Sequence, residues 1–282
     1  MINEIPLQSL IDYFNDRYAQ QYKVNYRPLS LKGEQVTGRF GPVQINSLFS
    51  PVRLTENDET FIGHIAQINF FNNQPTIHSG HLLTNLVNQP DDLINIVNFD
   101  RLCRMVHLLN YLSVTDHDSK LFLDVDPRHI LAIKFYHGLF FEEVLLKCGL
   151  RPENIVISMS LNSQYQQDID QLVEGLNNYR RRGYLIALVC HNLTKDCIAN
   201  DLLIKAIPHY LRIKAPKPVK SVQKHEANVM TELSLLREQF GEQIVYQEVE
   251  NSAQASVAKH CGIKYVQGSY YDGQALDCLS CL

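Results

Sequence analysis

The sequence predicts an α/β fold, a (β/α)8 barrel of the TIM type with a short N-terminal helical extension. Three observations carry this. Short apolar strings alternate with amphipathic helical segments along most of the chain, the pattern of parallel βα units. There are about eight such strings in roughly 250 residues, the size of one closed barrel. Gly149, Gly183 and Pro208 sit where three of the helices should stop. An open doubly wound sheet fits the same alternation, but no Gly-rich fingerprint follows the first strand to support a dinucleotide fold.

The elements follow in order. Leu7, Leu10, Ile11 and Phe14 are spaced for one face of a helix. A Gly- and Pro-punctuated segment runs from Pro28 to Pro42. Val43–Leu54 (broken at Pro51) and Phe61–Phe71 read as strands around a turn at Glu56-Asn57-Asp58. Residues 91–112 form a long amphipathic helix through Leu93, Val97, Leu102, Val106 and Leu109. Strands are then expected over 121–125, 154–157, 184–189, 210–213 and 243–249, and from Tyr265. Helices are expected between them over 135–148, 165–182, 197–207, 226–240 and 253–261. No linker cuts the chain, which is read as an extension, 1–42, and a barrel, 43–282.

Composition limits the function classes. Of 282 residues, 45% are hydrophobic and 20% charged, which excludes a disordered chain. Lys+Arg 26 against Asp+Glu 30 leaves a net charge of -4, which argues against a protein that works by neutralising nucleic-acid phosphates. The Arg180-Arg181-Arg182 run is better placed to complement a helix C-terminus. The N-terminus lacks a basic region and a small-residue cleavage site, and no apolar run reaches the ~18 residues of a membrane span. Seven scattered cysteines, an odd number, suit a reducing cytoplasm, and Cys278-x-x-Cys281 lacks the second pair a zinc site needs. Cytoplasmic location is therefore expected.

In such barrels the chemistry lies at the C-terminal strand ends. Those ends offer Asp124 and Asp126, then Ser158, then Cys190 beside His191, then Arg212 and Lys214, then Glu248 and Glu250, and finally Gln267. Asp124 and Asp126, at i and i+2, share a strand face, and either hold a residual single ion or simply end the strand. Cys190 and His191 are adjacent on a strand and point to opposite faces, which is poor geometry for a nucleophile and its base. The basic loop from Lys214 to Lys220 fits an acidic partner and a solvated loop equally well.

The order of these segments resembles the EAL domain, the cyclic di-GMP phosphodiesterase barrel. Ser47-Leu-Phe-Ser-Pro-Val52, Asn98-Phe-Asp-Arg-Leu102, Leu121-Phe-Leu-Asp-Val-Asp-Pro127, Gly183-Tyr-Leu-Ile-Ala-Leu188, Val249-Glu250 and Val266-Gln-Gly268 fall in the family's sequence of landmarks. The resemblance implies a carboxylate pocket holding two divalent cations. It also shows what has changed. Ile65 stands for the Glu of the signature triplet, and Asn69 for the phosphate-contacting arginine. Asp124 stands for an Asn ligand, Ser158 for a second Glu, and Val189-Cys190 for an Asp pair. Arg212 replaces the catalytic lysine, Lys214 its aspartate, and Gln247 another glutamate, whereas Glu250 and Gln267 are kept. About five negative charges leave one pocket, too few remaining to dehydrate two hard cations.

The resemblance therefore implies a degenerate barrel with no catalytic residue, no metal and no cofactor. Its expected role is a regulatory protein-interaction module in bacterial signalling (motility, adhesion or biofilm) with an unidentified protein partner. A non-hydrolytic cyclic di-GMP sensor is the alternative, and a different enzyme the weakest reading. Cyclic di-GMP is not expected to bind, because Asn69 and Ser50 replace two nucleotide-contacting positions. Neither nucleic acid nor membrane is expected as a partner. A homodimer through the loop at Glu250 is conceivable.

Overall fold

The computed structural model describes residues 6–22, 26–57, 59–71, 93–114, 119–133, 139–193, 201–217 and 222–272. The chain opens with helix α1 (Leu7–Tyr22), then strands β1 (Leu29–Lys32), β2 (Gln35–Phe40), β3 (Val43–Leu54) and β4 (Phe61–Phe71). Helix α2 (Leu93–Tyr111) leads to β5 (Lys120–Asp124), α3 (Pro127–Ala132), α4 (Leu139–Cys148), β6 (Ile155–Ser160) and α5 (Ile169–Arg181). The remainder is β7 (Leu185–Cys190), α6 (Asp201–Ala206), β8 (Tyr210–Lys214), α7 (Val222–Phe240), β9 (Ile244–Gln247), α8 (Ser252–His260) and β10 (Tyr265–Val266).

The strands form one sheet in the order β1-β2-β3-β10-β9-β8-β7-β6-β5-β4, and a further β3–β4 pairing closes β3 to β10 into an eight-stranded barrel. Six of its pairs are parallel. Strand β3 runs antiparallel to both its neighbours, β4 and β10. The β1–β2 hairpin continues the sheet outward from β3. The extension read as helical thus also contains two strands, turned at Gly33 with φ +61.

Strand alternation creates two cores. Val52, Ile65, Phe122, Val156, Ala187, Val245 and Tyr265 fill the barrel interior. Their sequence neighbours, among them Leu121, Leu123, Ile155, Ile157, Ile186 and Leu188, face the helices. Because both faces are buried, each strand reads as an unbroken apolar string. Helix α5 shows the complementary helical spacing, burying Ile169, Leu172, Leu176 and Tyr179. Its basic end is engaged locally: Arg180 Nη2 donates to the carbonyls of Ala206 (2.6 Å) and Ile207 (3.0 Å), and Arg182 pairs with Glu142 at 2.6 Å.

Three expected elements differ. Strand β3 runs through Pro51 rather than breaking there, with a register shift between Val52 and Arg53 that accommodates the irregular pairing. The helix expected over 135–148 is described from Leu139, preceded by the separate α3, which Asp126 caps by accepting from Arg128 N. The helix expected from 165 begins with a 3₁₀ turn, Ser163–Asp168. The parts of the expected helices at 135–138 and 197–200 lie outside the described residues.

Closure between β4 and β5 depends on a bare backbone. A Cβ on Gly63 would lie 1.9 Å from the Lys120 carbonyl oxygen. Gly63→Ala is expected to cost about 2 kcal/mol or more of unfolding free energy, measured by urea denaturation. A variant as stable as the parent would contradict this packing.

Candidate functional site at the barrel mouth

The C-terminal ends of the barrel strands open into a cavity of about 1070 Å³. This exceeds the range typical of small-ligand pockets. Its floor is set by strand parity. Parallel pairing places Val189 beside Arg212, and Lys214 beside Gln247, and each of these four residues lines the cavity. Asp124, at the end of β5, is register partner to Ser158. The lining also includes Arg128 and His191, and it extends to Phe70, Phe99 and Tyr165, which pack against the helix-facing core.

Arg212 is the central group. It is only 3% exposed, and its charge is paired with one carboxylate. Nε donates to Gln247 Oε1 at 2.9 Å, and Nη1 donates to Asp124 Oδ1 at 2.5 Å. The guanidinium carbon lies 6.0 Å from the Phe122 ring centroid, which forms part of the apolar floor. The pair is asymmetric: the Asp124 side chain is 63% exposed while that of Arg212 is 4%.

The other cavity carboxylates are paired as well. Lys214 Nζ lies 2.6 Å from Glu248 Oε1. Glu248 itself has φ +61, left-handed backbone that costs a non-glycine residue about 1 kcal/mol. Its N–H donates to Gln267 Oε1 at 3.2 Å. Arg128 holds Asp126 through Nε (3.0 Å) and Nη2 (2.6 Å). Asp100 takes a hydrogen bond from Arg104 and pairs with His129 at 2.8 Å. Burial alone would raise the Asp100 pKa, but Arg104 and His129 outweigh it and hold the carboxyl below its usual range. Thus Asp100, Asp124, Asp126 and Glu248, the four carboxylates lining the cavity, each face a protein cation or histidine.

Two histidines are held toward neutrality. His191 Nε2 lies 2.8 Å from Ser160 Oγ, and burial, then Lys214, lower its pKa. His107 Nδ1 lies 2.8 Å from Ser47 Oγ, and burial pushes it down to about 4.

Of the positions marked from sequence, Ile65, Asp124, Val189, Arg212, Lys214, Gln247 and Gln267 line the cavity. Asn69, Ser158, Cys190 and Glu250 do not. Ser158 lies beneath, its buried Oγ without a partner among the described residues. Cys190 belongs to the outer core, its side chain facing the helices. Glu250 is exposed, beyond the point where the chain leaves β9. Arg128 and the lining aromatics Phe70, Phe99 and Tyr165 were missed; the Asp126-Pro127-Arg128 helix start was the available signal for Arg128.

These residues do not fit a divalent pair. No group of three His, Cys, Asp or Glu side chains suited to an ion occurs among the described residues. At the marked positions Ile65 and Val189 offer only methyl groups, and the carboxylates present are already taken by Arg212, Arg128 and Lys214.

No family model matches the chain. Over 163 residues it is 27% identical to the uncharacterized EAL-domain containing protein YkuI of Bacillus subtilis (strain 168), covering 55% of this chain and 38% of that protein. The crystal structure of YkuI, in complex with substrate c-di-GMP and calcium, matches with a TM-score of 0.63 at 23% identity, over 80% of this chain and 54% of that one. The manganese and cyclic di-GMP complex of Klebsiella pneumoniae BlrP1 matches with a TM-score of 0.61 at 16% identity, over 80% and 54%. An EAL domain protein from Listeria monocytogenes EGD-e gives 0.58 at 14% identity, over 80% and 86%. The chain therefore spans about half or less of YkuI. The architecture is a TIM-like barrel of eight strands in which one, β3, runs against its neighbours. This is the EAL-domain, cyclic di-GMP phosphodiesterase-like fold.

These comparisons correct one expectation. Asn69 and Ser50 were read as reasons against cyclic di-GMP, but YkuI and BlrP1, with this fold, are solved holding it together with metal ions. Two altered contact positions do not exclude the nucleotide when Arg212, Lys214 and Arg128 place cations elsewhere in the same cavity. No helix among the described residues is long and apolar enough to cross a membrane.

The pH dependence of stability follows from His107. Its folded pKa is depressed below the ordinary value, so on acidification the unfolded chain takes the proton first. The stability is present above pH 6.5 and is lost as pH falls toward 4, by about 3 kcal/mol from this group. Urea unfolding across that window should show the loss, with a shallower slope in His107→Gln. Equal slopes would contradict it.

Proposed function

We propose that this barrel binds cyclic di-GMP at its mouth and does not hydrolyse it, acting as a non-catalytic element of cyclic di-GMP signalling. The observation that carries this reading is the combination in one cavity of Arg212, Lys214 and Arg128 with Phe70, Phe99 and Tyr165. Cations suit the two phosphodiesters of a cyclic dinucleotide, and guanidinium groups match phosphate geometry. Aromatic faces suit its purines, at about 1–3 kcal/mol per stacked base.

The absence of turnover follows from charge. A two-metal hydrolysis needs carboxylates that are available to share between ions. Here the cavity carboxylates are neutralised by the chain's own side chains, and Ile65, Val189 and Gln247 bring no charge. What remains is a shaped, polar, ligand-sized cavity whose occupancy would follow the concentration of the dinucleotide. That suits a regulatory domain.

Titration calorimetry with cyclic di-GMP is expected to give saturable heat, and chromatography of the same mixture with magnesium or manganese no linear product. Linear product formed at a rate abolished by Asp124→Ala would overturn the non-catalytic reading. No heat at millimolar dinucleotide would overturn the binding reading.

A further inference from the structure

We infer that Arg212 is the phosphate-binding cation of this cavity and Asp124 its internal counter-ion, so that a ligand phosphate is taken up by exchange for the Asp124 carboxylate, without a divalent ion. The inference rests on the proposed nucleotide-binding reading and specifies how that site works.

The asymmetry of the pair supplies the argument. Arg212 is anchored from behind by Gln247 and is shielded from solvent, so it cannot leave without stranding a buried charge. Asp124 is on the solvent side, 63% exposed, so its carboxylate is rehydrated on release, and an incoming phosphate replaces it as partner of the buried guanidinium. A phosphate and a carboxylate present the same pair of acceptor oxygens to a guanidinium. Of five N–H donors on a guanidinium, the two described side-chain bonds use Nε and one hydrogen of Nη1. Beside Asp124 in register, the buried Ser158 hydroxyl lacks a partner among the described residues, so this layer has hydrogen-bonding capacity in reserve.

Lys214 and Glu248 repeat the arrangement one step further out. Lys214 is 30% exposed and Glu248 41%, so the acid is again on the wetter side. The donor set that does not fit a divalent pair thus contains its own fixed positive charge. Metal-ligand and counter-ion roles for Asp124 then predict opposite signs. Removing a metal ligand weakens ligand binding, whereas removing a competing carboxylate strengthens it.

The test is calorimetry of the full chain with two probes, cyclic di-GMP in EDTA and in calcium, and inorganic pyrophosphate in EDTA alone, since it binds calcium itself. The expected result is equal dinucleotide affinity in both conditions and, for both probes, about fivefold tighter binding in Asp124→Asn and binding weakened about tenfold or more in Arg212→Gln. Arg212→Lys should fall between, and thermal melts check that each variant folds. Affinity that requires calcium, or Asp124→Asn weakening binding, overturns the inference and leaves the proposed function standing. If pyrophosphate follows the expected signs and the dinucleotide does not bind, the proposed function fails and the inference holds. If neither probe binds, both fail.

Discussion

A guanidinium shielded from water inside a barrel needs fixed partners, because an unpaired charge there costs several kcal/mol. Arg212 meets that demand with Gln247 on β9 and Asp124 at the end of β5, reaching from its own strand β8 to both. The bond to Asp124 spans 88 residues of sequence and links strands three places apart in the ring. Once this cation is present, the chemistry of the mouth is constrained. The Asp124 carboxylate is held to it, Gln247 serves as a neutral acceptor, and Lys214 finds its own acid in Glu248. The apolar layer below, with Ile65, Phe122, Val156 and Val245, closes the barrel without polar help.

The barrel was legible because its strands are buried on both faces and its helices on one, so apolar strings and amphipathic segments alternate in the sequence. Position within the mouth was legible for the same reason. A period of two puts Arg212 and Lys214, or Val245 and Gln247, on one face of a strand, and the structure places these side chains inward. What failed was non-local. The β1–β2 hairpin is short and turn-rich, and it becomes sheet only by pairing with β3. Pro51 reads as a breaker until the neighbouring register shift is known. Glu250 loses its expected place because regular alternation stops at Glu248, whose left-handed φ turns the chain. The Arg212–Asp124 and Lys214–Glu248 pairs had no local signal, unlike Asp126 and Arg128 around a helix start and Asp100 and Arg104 at i and i+4 on one helix.

That last failure altered the functional reading. Counting lost acids led to the expectation of a pocket with too little charge for two metal ions. Counting the lost arginine at Asn69 led to the expectation of no nucleotide, because Arg212 and Lys214 were weighed only as obstacles to a metal. In the folded chain they stand in one cavity with Arg128 and three aromatic side chains. Loss of negative charge and gain of positive charge are two sides of one change. It disfavours a divalent cation and favours an anionic ligand in the same space.

The most direct measurement is a crystal structure of the chain grown with cyclic di-GMP and excess calcium. The account predicts a ligand phosphate within hydrogen-bonding distance of the Arg212 guanidinium, with Gln247 still its anchor, Asp124 displaced toward solvent, and no calcium on Asp124. Calcium bound by Asp124, with Arg212 turned away from both it and Gln247, would contradict it.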